Sequence, residues 1–408
     1  MKGDFSRLPI SAKHFSRVLM QQGRVQLDAD WNEQMDNVLH FLWTLAADLI
    51  GDHGGGETAF KVVETAALTK DFEILPGHYY VNGILCENDA EQLVYSGQVS
   101  YPLPDDGVLN ANTTYLVYLD VWERHITSIE DESIREVALG WPDTATRAQI
   151  IWQVKTTHQM PDEAGTDIPV GISRTQVEDV WNQWKALWQP PHRGQLKARS
   201  KEDASQDTNP CITPPEARYR GAENQLYRVE VHRGGLAWDD SQAGKANAAT
   251  FVWSRENGAV AFPVVALEGK MVTLEYLGRD DRLSLAKDAW VEIVDDNHVL
   301  HNQGGPLVQI ELVDQLEMRV TLRSDPIVSY DQLRDKHPLL RRWDHRDGEP
   351  TLGEPQLADD GALLIQESTW LTLEDGVQVW FEPASAGAQQ SYRSGDYWLI
   401  PALSLIHI

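Results

Sequence analysis

Cysteine is almost absent. Cys86 and Cys211 are the only two in 408 residues, which excludes a disulfide framework and a CxxC-type metal site. Basic residues are also scarce: 35 Lys+Arg against 62 Asp+Glu leave a net charge of −27. That balance excludes the positive footprint needed to bind nucleic acid or to dock on anionic lipid. No stretch approaches the roughly 18 apolar residues of a membrane span. The most apolar segment, residues 38–50, is short and is interrupted by His40 and Asp48. The first ten residues contain no apolar run of the signal-peptide kind, so the expectation is synthesis in the cytosol, with any exit made without a Sec signal. Missing too are a GxSxG elbow, a P-loop, a GxGxxG fingerprint and an HExxH pair. Those absences weigh against an enzyme, and no catalytic, cofactor-binding or metal-ligating residue is assigned.

What remains is ordinary for a folded chain: 42% hydrophobic and 24% charged residues, at a length that fits two or three domains. The unusual count is tryptophan, 15 against 8 phenylalanines. Tryptophan offers a large rigid area with one N–H donor, which suits β packing, subunit interfaces or sugar stacking.

Periodicity points to a mainly β (α+β) fold with N-terminal helices, β hairpins and a small five-stranded barrel-like module. Ser11 is placed to cap a short helix over 12–22. A second helix, capped by Asp28 or Asp30, carries Trp31, Met35, Val38, Leu39, Leu42, Leu45, Ala46 and Leu49 at three- and four-residue spacing. Of these, Trp31, Met35, Val38, Leu42, Leu45 and Leu49 are the predicted docking face, with residues 1–56 acting as a helical docking segment against a partner domain or subunit. Residues 57–189 read as a mixed β/α domain. Within it, Asn82-Gly83 between apolar runs is a strong hairpin signal. Tyr115 to Trp122 reads as a buried strand. Helices are expected over 144–154 and 173–188. Residues 190–216, with five prolines and a charged run, read as a linker or long exposed loop. The β-rich remainder, 217–402, includes the barrel-like module at about 260–323, built from strands near 260–267, 271–276, 290–294, 307–313 and 318–322.

Several polar clusters invite chemistry. Asp28, Asp30, Glu33 and Asp36 sit beside Trp31; helix-end acids answering the macrodipole, together with a cap, explain them best. Asp295, Asp296, His298 and His301 have ligand-type side chains, yet a solvated hairpin loop accounts for them. His337, Asp344, His345 and Asp347 beside Arg341 and Arg342 read as a salt-bridged turn. For glycan contact the best candidates are Trp238-Asp239-Asp240 and Trp141, because each lies in turn-like sequence. Most other tryptophans have apolar neighbours and are assigned to core or interface.

Seven spaced motifs carry a resemblance. They are the opening 1–7 with 13–15, then 22–34 (QGRVQLDADWNEQ), 76–83 (PGHYYVNG), 118–124 (YLDVWER), 221–232 (GAENQLYRVEVH), 251–258 (FVWSRENG) and 393–398 (RSGDYW). Together they resemble an uncharacterised bacterial family, a domain of unknown function whose members look like structural components of phage-tail-like particles and extracellular contractile injection systems. The resemblance transfers no catalytic residue. It implies a structural or attachment component that contacts other subunits of such a particle and leaves the cell as part of an assembly; a homo-oligomer is one open form of that association. Receptor or cell-surface glycan binding by the same particle is the second reading, and a polysaccharide-acting hydrolase the third. The physical character of the motifs agrees with a scaffold: Gly77 and Gly83 fall at turns, Trp122, Trp253 and Trp398 within strands, and Arg124, Arg228 and Arg255 beside acids. Residues 403–408 match the in-frame translation of a sequencing-library adapter end, so a non-native tail is expected there, with the natural chain continuing past residue 402.

Overall fold

A computed structural model describes residues 2–6, 14–64, 70–103, 109–139, 143–162, 165–189, 194–201, 219, 221–222, 225–238, 247–278, 280–383 and 391–402. Strands dominate, all the sheets are antiparallel, and helices are few. The chain forms two compact units. One comprises Gly3–Trp188; the other comprises Gln189–Ile408 together with Lys2.

In the first unit the helix α1 spans Asp28–Ile50. Asp30 Oδ2 accepts the backbone N–H of Leu27 at 3.2 Å, and Asp28 accepts that of Ser6 at 2.5 Å, so both acids secure the helix start. The expected helix over 12–22 does not form in its described part, residues 14–22. A helix that short is marginal without packing, and the Val18 N–H is taken instead by Gln34 Oε1 on α1, at 2.8 Å. The hairpin forms as expected. Gly77–Val81 pairs with Ile84–Asn88, and the turn residues Asn82 and Gly83 take φ of 47° and 78°. A Cβ on Gly83 would stand 1.9 Å from the carbonyl oxygen of Trp43, so only glycine lets the hairpin tip approach α1.

The segment 144–154 is not helical. Arg147–Thr157 is a strand paired along its whole length with Leu116–Ile126, and the eleven-residue ladder outweighs the helix-like spacing of its apolar residues. The second helix, α2, spans Arg174–Trp188 as expected. Trp184 is its buried anchor, donating through Nε1 to the Gln159 carbonyl at 3.1 Å, and Trp188 stacks on Tyr118 at 4.0 Å between centroids. Phe72, Ile74, Tyr95 and Val154 form the unit's core.

The second unit contains a four-stranded sheet in the order Leu363–Leu364, Thr250–Ser254, Gln225–Arg233, Tyr397–Ala402. Beside it, six strands are hydrogen-bonded into a closed ring. All five expected strands are present, and a sixth, Leu339–Trp343, joins Trp290–Val294 to Ala261–Glu268 and closes the ring. The expected salt-bridged turn around Arg341 and Arg342 is therefore a strand, with every one of its residues buried. The supposed linker contributes structure as well: Leu196–Ser200 pairs with Val377–Phe381. Residues 190–193 and 202–216 of that stretch, Cys211 among them, and the tail 403–408 lie outside the described residues.

Candidate functional site

The face of α1 that carries the predicted docking residues is exposed along its full length. Trp31 is 61% exposed, Leu49 78%, and Met35, Val38, Leu42 and Leu45 lie between 39% and 50%. Phe41 adds a further large apolar side chain, and ahead of the helix Phe15, Leu19, Met20, Val25 and Leu27 are exposed as well. The single buried residue of α1 is an acid, Asp36. Half-covered Trp43 belongs to the side that approaches the hairpin. A run of large apolar residues left open on one helix face is the surface signature of an association site.

The second unit shows the converse. On Gln225–Arg233 the alternating residues Tyr227, Val229 and Val231 enter the apolar core, which is what period-two patterning predicts. The opposite face, with Arg228, Glu230 and His232, reads as a solvent face, yet Arg228 and Glu230 are buried. Glu230 accepts Lys2 Nζ at 2.6 Å and Arg228 Nε at 2.5 Å. Arg228 also donates to Asn257 Oδ1 at 3.2 Å and lies 3.6 Å over the Tyr397 ring. On the ring strands, Glu292 accepts the indole N–H of Trp343 and the backbone N–H of Gly305, each at 2.8 Å, with His232 Nδ1 3.8 Å away. Lys2 Nζ stands 5.6 Å over the Trp343 ring.

Burial pushes the Glu230 carboxyl up, but the charges of Arg228 and Lys2 outweigh it and hold it down at about 2. Burial likewise opposes ionisation of Glu292, and Lys2, His232 and Arg341 overcome it, so its carboxyl also lies below the ordinary range. Lys2 is lowered by burial, with Glu230 partly restoring it. Every charge in this centre has an opposite charge or a donor beside it, an arrangement that fixes geometry. Lys2 and Glu292 had no visible role in the sequence. The one available signal was the Arg-x-Glu-x-His alternation opposite an apolar face.

The remaining clusters are structural. Asp295 caps the short helix Asp296–Leu300, accepting the His298 N–H at 3.0 Å and pairing with His298 Nδ1 at 2.5 Å. Burial raises its carboxyl, the His298 hydrogen bonds outweigh that, and the net shift is downward. The expected solvated hairpin loop is thus a capped helical turn. His337 pairs with Asp296 at 2.8 Å, and His301 Nδ1 meets the Asn297 carbonyl at 2.8 Å. His345 is enclosed, stacked on Trp290, with Nε2 2.8 Å from the Gly361 carbonyl. Since a carbonyl only accepts, the ring proton sits on Nε2. Burial brings its pKa down to about 4. Asp344 receives the Arg255 backbone N–H at 2.9 Å and lies 3.2 Å from Arg342 Nε, while Arg255 also binds Glu374 at 2.7 Å. Among the described residues no group of three or more His, Cys, Asp or Glu could hold a metal, and no helix is long and apolar enough to cross a membrane. Cys86 is buried, which pushes its thiol up to about 12.

Of the predicted glycan contacts, Trp238 is half-buried against Ala248, Ala358 and Leu364, with its backbone N–H on the Ile365 carbonyl at 2.8 Å. Trp141, Asp239 and Asp240 lie outside the described residues. A shallow polar depression of about 220 Å³ bordered by Lys201, Arg346, Glu354 and Glu374 brings together none of the sequence candidates.

Fold and surface together describe a mainly β protein of two antiparallel units, one of which displays an open apolar helix. Over residues 1–170 and 163–405 the chain matches the model of a family of unknown function (DUF6519), and it belongs to that family. No curated protein and no solved structure matches it.

Proposed function

We propose that this protein is a non-enzymatic structural or attachment component of a phage-tail-like particle or contractile injection system, acting through protein–protein contacts. The observation that carries the reading is the open face of α1, where Trp31, Met35, Val38, Leu42, Leu45 and Leu49 stand exposed on one side of a helix whose other side is seated on the hairpin. Six large apolar side chains in water are unfavourable by roughly 1–2 kcal/mol each relative to burial, and a partner surface recovers that energy. The motifs that carry the family resemblance support the reading through what they build: a capped helix start, a glycine hairpin tip and a buried charge centre, all of them framework.

The test is incorporation. In cells that make the particle, the purified assembly should contain the chain, and Leu42→Asp/Leu45→Asp should fold normally but be left out. Particles that lack the chain, or that take up the variant as well as wild type, would contradict the proposal.

A further inference from the structure

Ahead of α1 the charge of the chain is reversed. Between Phe5 and Leu27 there are four cations, Arg7, Lys13, Arg17 and Arg24, and no acid, in a chain of −27. The described part of this arm, residues 14–27, forms neither helix nor strand, and every residue in it except Val18 is exposed. Phe15, Leu19, Met20, Val25 and Leu27 stand open, Val25 at 82%. Among the described residues of the arm, only the N–H groups of Val18, Arg24 and Leu27 have a partner, and neither Arg17 nor Arg24 has an acid beside it. Apolar side chains, guanidinium groups and backbone donors are thus all left unused on one segment.

The chain also carries a surface of the opposite kind. The strands Leu307–Asp314 and Arg319–Leu322 of the second unit pair as a hairpin, and at its tip Leu312, Leu316 and Met318 are exposed, Leu316 at 93%. From Leu307 to Met318 there are three acids, Glu311, Asp314 and Glu317, all exposed, and no cation. Asp314 is engaged by the tip itself, accepting the Leu316 N–H at 3.0 Å, and Glu317 lies 4.0 Å from Arg319. Among the described residues Glu311 has no cation beside it.

We infer that the arm of one copy of the chain binds the Leu307–Leu322 hairpin of a second copy. Apolar side chains flanked by guanidinium groups meet apolar side chains flanked by carboxylates. Both surfaces are open in the single chain. Charge selects this contact, because two bodies so acidic repel wherever acid meets acid and attract where the arm meets the hairpin. The two patches differ, so the contact is heterologous and repeats head to tail from copy to copy. The open face of α1 takes no part in it, and the inference stands or falls apart from the docking proposed for that helix.

Light scattering on the purified full chain in low salt, at about 100 μM and so well above a micromolar Kd, tests it. Wild type should show a mass of at least twice 46.0 kDa that declines as salt is added. Arg17→Glu/Arg24→Glu and, separately, Glu311→Lys/Glu317→Lys should each give 46.0 kDa with an unchanged circular dichroism spectrum, while Arg17→Lys/Arg24→Lys keeps the wild-type mass. Mixing the two reversed variants puts opposite charges back at the contact and should restore the larger mass. If the hairpin variant fails to fold, Leu316→Ser should weaken association by about tenfold. Wild type at single-chain mass overturns self-association, and an oligomer indifferent to either reversal overturns the arm and the hairpin as its surfaces. A mixture that stays at single-chain mass overturns their pairing.

Discussion

The helix Asp28–Ile50 and the strand Gln225–Arg233 invert the usual sorting of side chains in opposite senses. The helix leaves eight large apolar residues open and buries an acid; the strand buries an arginine and a glutamate. The physical consequences differ. A buried ion pair supplies little net stability, but breaking one half of it leaves an uncompensated charge in a place water cannot reach. An open apolar face adds little to the stability of the isolated chain, because its residues keep between 39% and 78% of their surface exposed. The strand therefore holds the fold, and under the docking role proposed for it the helix holds energy for association.

The first way to break the comparison is Glu230→Ala. It strands Arg228 and Lys2, and chemical denaturation should show the second unit losing about 3–5 kcal/mol. Next comes acid. The folded-state pKa of His345, about 4, lies below the ordinary 6.5, so between those values the unfolded chain binds the extra proton. Stability is complete above pH 6.5 and falls by about 3 kcal/mol as pH approaches 4. A second loss follows below pH 4.5 as Glu230, held at about 2, protonates. Denaturation at a series of pH values checks both, and His345→Phe should remove the first slope. Third, Gly83→Ala forces a Cβ into the Trp43 carbonyl at a positive φ, and should lower the first unit's stability by about 2–3 kcal/mol, read from its melting transition. The smallest effect sharpens the contrast most. Leu42→Ala and Leu45→Ala should change the monomer's unfolding free energy by less than about 0.5 kcal/mol each while weakening association.

Legibility in the sequence followed how local each determinant is. The hairpin at Asn82-Gly83, the Arg174–Trp188 helix and five of the ring's strands depend on turn residues and short-range periodicity, and could be read directly. The ring's sixth strand could not: Arg341 and Arg342 look like surface, and only the ladders on both sides of Leu339–Trp343 bury them. Arg147–Thr157 was misread because its apolar residues fit a helix as well as a strand, and the deciding partner, Leu116–Ile126, lies in a separate stretch of chain. The charge centre was hidden for the same reason. Period-two alternation marks the polar face of Gln225–Arg233 but says nothing about Glu292 and Trp343 lying over it. The open apolar face of α1 was legible because a helix carries its own neighbours at three and four residues.

The most direct test of the central claim compares side-chain oxidation in the free chain and in the assembled particle by hydroxyl-radical footprinting. Met35 and Trp31 should be oxidised readily in the free chain and protected in the particle, while buried Trp253 and Trp343 stay unreactive in both. Equal oxidation of Met35 and Trp31 in the two states would contradict docking through this helix.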